Sequence, residues 1–394
     1  MSVLADPAVT LVEDVRKVAR EVAAEHADEV DRAARFPIET IEALREVSAL
    51  SAFVPTEFGG AGAPLTAIAR CCLELGRNCA ASGMVFAMHQ IQVASIARHV
   101  EPGSGSWFEG YLHELVADQR LIASATSEVG TGGDMGRSVA AVTPTADGLV
   151  AFEKNAPTVS YGVYADDLLT TLRRAPDAEA NDQVLALTRR GEHTIEITGT
   201  WDVLGMRGTC SAGGMVRATF DSRQTLSDPP FSKIAAESMV PISHILWANV
   251  WLGIAEDAFD RARAFVRAAT KRSGGAPVSV AQRLSRVMTE LGLLRAEVAS
   301  ALNDFESASN EPGRERLSLL SSALRFNNLK LAASEHASDI CKSALEINGI
   351  MGYKNDTPFS VGRHLRDTLS APLMIANERI HETNASLLLI AKEI

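Results

Sequence analysis

The chain has 394 residues, 46 % of them hydrophobic and 22 % charged, with a formal net charge of −11. That length exceeds one ordinary core and predicts two or three packed units. The negative charge, with no basic patch to override it, makes nucleic acid and anionic lipid poor partners, and no unbroken apolar run nears the roughly 20 residues of a bilayer span, so membrane insertion is not expected.

Residues 1–120 place apolar side chains at helical spacing, as in VEDVRKVAREVAAEHADEV and IETIEALREVSALSAF, interrupted by the loop EFGGAGAP. This predicts a helical N-terminal domain. Its first residues lack a basic start followed by an apolar stretch, so a cytoplasmic location is expected. Residues 121–228 change to short runs rich in Val, Thr, Leu and Ile, namely LVAFE, DDLLTTLRR, DQVLALTRR, HTIEIT and MVRATF, bounded by Gly, Asp and Pro. That texture predicts a middle β domain. From 229 to 394 helical spacing returns in long segments joined by short loops, which predicts an antiparallel four-helix bundle and an α+β fold class. Cys71, Cys72, Cys79, Cys210 and Cys341 include no CxxC pair, so reduced core thiols are expected rather than disulfides or a zinc site.

The first bundle helix opens with PISHILWANVWLGIAE, which sets Ser243 and His244 among apolar residues. A buried polar group without a partner costs a few kcal/mol, so this pair either faces a ligand cavity or is satisfied inside the core. The ordinary pKa of imidazole suits proton abstraction near neutrality. Trp247 and Trp251 follow on the same helical face, as a cavity wall or as plain core packing.

FPIETIEALREVSALSAFVPTEFGGAGAPLT joins a proline, a helix and a Gly-Gly-x-Gly loop, and SATSEVGTGGD follows a strand with a glycine-rich loop. WDVLGMRGTCS comes next, and then LEINGIMGYKNDTPFSVGRHLRD, which holds a G-x-x-G-Y loop and an R-D pair. In order and register, over essentially the whole chain, these segments resemble those of the acyl-CoA dehydrogenase superfamily of flavoproteins. The resemblance implies a helical domain, a β domain and a four-helix bundle around a flavin. It places Thr126, Ser127, Gly132 and Gly133 against the cofactor, with Ser160 as a second hydroxyl and Thr158 where the family has a tryptophan wall. It implies FAD rather than FMN, with the adenosine diphosphate half held from a neighbouring chain by Lys271 or Arg272, Gly274, Gly275 and Gln282, together with the Gly349–Gly352 loop. A homotetramer of paired dimers, or a homodimer, follows from that shared site.

The same comparison exposes departures. Most members carry their catalytic glutamate nine residues after the Arg of the R-D pair, and that count from Arg366 reaches Ile375. A minority carry it ten residues before a glycine of the first bundle helix, and that count from Gly253 reaches Ser243. The candidate replacements are His244 and Glu378, and the absence of any side-chain base remains open beside them. Gly133 replaces a serine that helps hold the thioester arm in the family.

Two activities follow. One is α,β-dehydrogenation of an acyl or aminoacyl thioester, carried by coenzyme A or an acyl carrier protein, with an electron acceptor that the residues do not name. The other is a flavin-dependent monooxygenase on the same fold, in which reduced flavin meets oxygen and no α-proton base is needed. A degenerate, non-catalytic relative is a third alternative.

Overall fold

The computed structural model describes residues 7–274, 280–309 and 313–390. The N-terminal part is helical: α1 (Pro7–Val18), α2 (Ala24–Ala33), α3 (Ile38–Glu46), α4 (Leu65–Asn78), α5 (Ala80–Ala97) and α6 (Trp107–Asp118). A π-helical turn, Ala19–Ala23, joins the first two. Helix α5 is buried on almost every face, as its all-round apolar sequence AASGMVFAMHQIQVASIA requires of a helix sandwiched between domains.

Two four-stranded sheets follow, built from β1 (Ile122–Ala125), β2 (Thr143–Pro144), β3 (Val150–Ala156), β4 (Asp167–Arg173), β5 (Gln183–Arg189), β6 (His193–Ile197), β7 (Gly214–Phe220) and β8 (Thr225–Leu226). One sheet runs β1-β4-β5-β8 and the other β2-β3-β7-β6. Among the paired strands of the described residues, β1 and β4 run parallel and the others antiparallel. Strands β4 and β5 are buried on both faces, whereas β3 and β7 alternate, so one sheet is interior and the other has a wet side.

The C-terminal part contains α7 (Phe231–Ile234), α8 (Val240–Arg272), α9 (Ala281–Ala308), α10 (Leu320–Asn348), α11 (Ile350–Tyr353), α12 (Gly362–Thr368) and α13 (Asn377–Ile390). The bundle has three long helices and a fourth, α13, of 14 residues. Residues Phe231–Arg272 form the one described helix that composition alone would allow to cross a membrane, and 94 % of its apolar window is buried inside the protein. It is the core helix that α4, α5, α9 and α10 surround.

The segments singled out in the sequence touch one another. Asp367 Oδ1 accepts from the Met206 N–H at 2.7 Å, and Arg366 Nη1 donates to Asp31 Oδ1 and to the Leu204 carbonyl, both at 2.9 Å. A Cβ on Gly205 would fall 2.0 Å from the Arg366 carbonyl oxygen. The R-D pair and the LGMRGT segment therefore clamp the β domain to α2 and the bundle. All five cysteines are free, and all but Cys210 are buried.

Buried histidines give the fold an acid limit. His89 Nε2–H donates to the Leu50 carbonyl (2.7 Å) while Nδ1 accepts from the Ile122 N–H (3.0 Å), and burial pushes the ring down to about 4. Burial pushes His244 to about 4 as well. Both folded values lie below the unfolded value near 6.5, so their contribution is fully present above that pH and is lost as pH falls toward 4. Each ring is expected to remove about 1.4 kcal/mol of stability per pH unit across that window. Urea midpoints at pH 7.5, 5.5 and 4.5 check this, and equal midpoints at all three would contradict it.

Candidate active site

A cavity of about 530 Å³ opens where α5, the β1 end, the N-terminal turn of α8, the start of α10 and α13 converge. Its wall includes Ser243, His244 and Trp247 from α8, Met88 and Gln92 from α5, and Ser124, Thr126, Gly133 and Asp134 from the β domain. Helix α8 reaches it through a π-helical turn, Ala235–Met239. Ser243 Oγ is spent on the Met239 carbonyl one turn back, a local bond that satisfies the hydroxyl without a ligand.

His244 Nδ1 lies 3.0 Å from the Phe326 carbonyl oxygen. A carbonyl only accepts, so Nδ1 carries the proton and Nε2 keeps a lone pair. Burial lowers the ring pKa to about 4, the Phe326 bond opposes that, and the Lys330 ammonium adds to it. His244 is therefore neutral across physiological pH. Lys330 is itself fully buried, with burial pushing it down to about 8.

Lys330 Nζ donates to the Ile375 carbonyl at 3.1 Å and to Asn377 Oδ1. This holds the loop before α13, where Ile375 takes a left-handed backbone (φ +48°) and lines the cavity. The position at which the resemblance seeks a glutamate thus faces the cavity with an isoleucine. Glu378 is exposed and is not among the residues that line the cavity. The carboxylates on the wall are Asp134 and Glu382, neither of them singled out by the sequence; Glu378 and Glu382, one turn apart, project from the same side of α13, so which of them reaches the cavity depends on where the helix sits along its axis. The two tryptophans divide: Trp247 lines the cavity and donates Nε1–H to Met88 Sδ (3.3 Å), while Trp251 is fully buried core.

The proposed flavin contacts gather beside this cavity. Ser127 Oγ donates to the Thr158 carbonyl at 3.1 Å and sits 3.2 Å from Thr158 Oγ1. Ser160 Oγ accepts from Ser211 Oγ at 3.1 Å. Thr126 and Gly133 reach the cavity itself. Two buried polar atoms on the cavity wall, Ser124 Oγ and Gln92 Oε1, have no hydrogen-bond partner among the described residues. Orphaned atoms beside a row of hydroxyls fit a polar, ring-bearing group such as a flavin, which would satisfy them.

Lys271, Arg272 and Gln282 are exposed at the opposite end of the bundle, about 40 Å from His244 along α8 at 1.5 Å per residue. Gly349, with φ +55°, caps the end of α10, and Gly352 is buried within α11. Gly275 lies outside the described residues. Within one chain Lys271 and Arg272, at the tail of α8, thus lie far from the cavity at its head.

Comparison with known proteins shows the family and the fold. Family models for the acyl-CoA dehydrogenase N-terminal and C-terminal domains match residues 7–103 and 235–376, together more than half the chain. A probable acyl-CoA dehydrogenase of Bacillus subtilis (strain 168), YngJ, is 25 % identical over 97 % of this chain and 96 % of its own. A probable FMNH2-dependent monooxygenase of Pseudomonas putida, SfnC, is 27 % identical over 93 % and 92 %. The crystal structure of KijD3 in complex with dTDP superposes with a TM-score of 0.84 at 21 % identity, covering 98 % of both chains, and so shares the fold. With both family domains matched and relatives aligned from end to end, this chain belongs to the acyl-CoA dehydrogenase family and is a flavin-dependent oxidoreductase.

Proposed function

We propose that the chain oxidises an acyl or aminoacyl thioester, on coenzyme A or an acyl carrier protein, in the cavity at the head of α8. One observation carries this reading: His244 presents a neutral imidazole whose Nε2 lone pair is free, on the wall of a substrate-sized cavity. Nε2 takes the α-proton, and Trp247 and Ile375 exclude water above it. The flavin, when bound, supplies the acceptor for the hydride.

A magnitude keeps a second reading in play. Lowering a conjugate acid from 6.5 to about 4 weakens the base by about 3 kcal/mol, comparable with the 10²–10⁴-fold, about 3–5 kcal/mol, that general-base catalysis contributes. That near-cancellation, with isoleucine at the usual base position, favours a flavin-dependent monooxygenase, which needs no such base. The test is anaerobic absorption spectroscopy of the purified holoprotein against a panel of acyl thioesters. Bleaching of the flavin bands supports dehydrogenation. Bands that ignore every thioester, yet bleach with a chemical reductant and recover with oxygen, overturn it in favour of monooxygenation.

FAD is the cofactor in this reading, and its adenosine diphosphate half is held by Lys271 or Arg272 and Gln282 of a second copy, since about 40 Å separates them from His244 in one chain. A homotetramer of paired dimers follows, and a sedimenting monomer with bound FAD would refute it.

A further inference from the structure

Arg379, three residues into α13, lines the same cavity, and no expectation above assigns it a role. Its guanidinium lies against the Gly132–Gly133 turn. A Cβ built on Gly133 would fall 2.7 Å from Nη1, and one on Gly132 would fall 3.4 Å from Nη2. Both glycines hold left-handed backbone, φ +61° and +83°, so the turn is bare of side chains where the guanidinium rests.

The group is half-buried, and among the described residues it makes no hydrogen bond or ion pair. Several other half-buried arginines of this chain are carboxylate-paired, Arg77 with Glu256 and Asp260, Arg120 with Asp167, Arg366 with Asp31, while Arg98 and Arg173 donate to hydroxyl or carbonyl oxygens. The two carboxylates on the cavity wall do not fill this role. Asp134 Oδ1 accepts from the Gly136 N–H at 2.9 Å, and Glu382 is an exposed side chain that forms no pair with Arg379. The Gly132 and Gly133 N–H groups, in the same turn, also have no acceptor among the described residues. A guanidinium offers five donors and no acceptor, in a fork that matches the oxygens of a carboxylate or phosphate. Holding it partly desolvated and unpaired is unfavourable unless a ligand completes it.

We propose that Arg379 is an oxyanion-binding residue that receives a carboxylate or phosphate oxygen of the molecule occupying this cavity. The proposal rests on the reading that the cavity is the ligand site, but not on which reaction occurs there. The oxyanion has two sources, the phosphate of the flavin side chain or an acidic group on the substrate.

Binding experiments on the full chain separate them. Apoprotein is titrated with FMN and with riboflavin, which differ by the phosphate alone, following quenching of flavin fluorescence. Flavin-loaded protein is titrated with inorganic phosphate and with succinate, following perturbation of the flavin absorbance. Arg379→Met is expected to weaken one of these, FMN relative to riboflavin or the free oxyanions, by about tenfold or more, and Arg379→Lys is expected to recover part of the loss. A drop confined to the FMN arm assigns the flavin phosphate, and a drop confined to the free-anion arm assigns the substrate. If Arg379→Met folds, by circular dichroism, and changes neither arm, the proposal is overturned. If Arg379→Met does not fold, unchanged binding in Arg379→Gln overturns it. No arm reads thioester oxidation, so failure of the dehydrogenase reading leaves this test intact.

Discussion

Replacing His244 by alanine is expected to slow anaerobic flavin bleaching by a thioester about tenfold or more, what is left of the worth of a positioned general base once burial has lowered its conjugate acid to about 4. The substitution removes the Nε2 lone pair from the cavity and also the bond from Nδ1–H to the Phe326 carbonyl. The Phe326 carbonyl then loses a buried donor, at about 1–3 kcal/mol, so the variant is expected to fold but to melt earlier. His244→Gln separates the two effects, because an amide can restore the bond to Phe326 without supplying a base. Stopped-flow absorbance at saturating thioester reads the rate constant directly. A rate within threefold of the parent in His244→Ala would remove this residue as proton acceptor, and the cavity carboxylates Glu382 and Asp134 would be the next to substitute.

Gly253→Ala is expected to lower stability by about 3 kcal/mol or more, at the upper end of overpacking costs. A Cβ there would fall 2.3 Å from the Leu73 carbonyl oxygen and 2.9 Å from the Arg77 N, both backbone atoms of α4. The approach is reciprocal, since a Cβ on Gly76 of α4 would meet the Val250 carbonyl oxygen at 2.5 Å. Backbone cannot rotate aside as a side chain can, so α4 and α8 must separate, which loosens a core holding Trp251, Val250 and Ile254. Urea unfolding followed by tryptophan fluorescence measures the loss. A change below 1 kcal/mol would show that the two helices re-seat without cost.

These residues show where the sequence was legible. Gly253, from which Ser243 is counted, is the glycine that α4 packs against, so a backbone contact lies beneath that spacing. The motif matches near Leu204–Thr209 and Arg366–Asp367 likewise coincide with mutual hydrogen bonds. Glu128 shows the opposite case. Its carboxylate accepts from Ser138 Oγ and from the N–H groups of Val139 and Ala140, with Lys154 at 3.5 Å, anchoring the SATSEVGTGGD loop. Nothing in its spacing distinguishes it from a catalytic acid, because the partners lie ten and more residues away.

The sequence by itself determined the order of the parts, helical, β, helical, because hydrophobic period is a local property of each segment. It determined the family, because five motifs kept their order and spacing, and it placed Ser243 and His244 at the head of the long core helix. The tertiary structure decided what depends on convergence of distant segments. It held His244 as a neutral tautomer through Phe326 and Lys330, and it faced Ile375 and Glu382, rather than Glu378, into the cavity. It also laid an unpaired Arg379 against Gly133. Burial, tautomer and pairing are set by neighbours far apart in the chain, and no local pattern carries them.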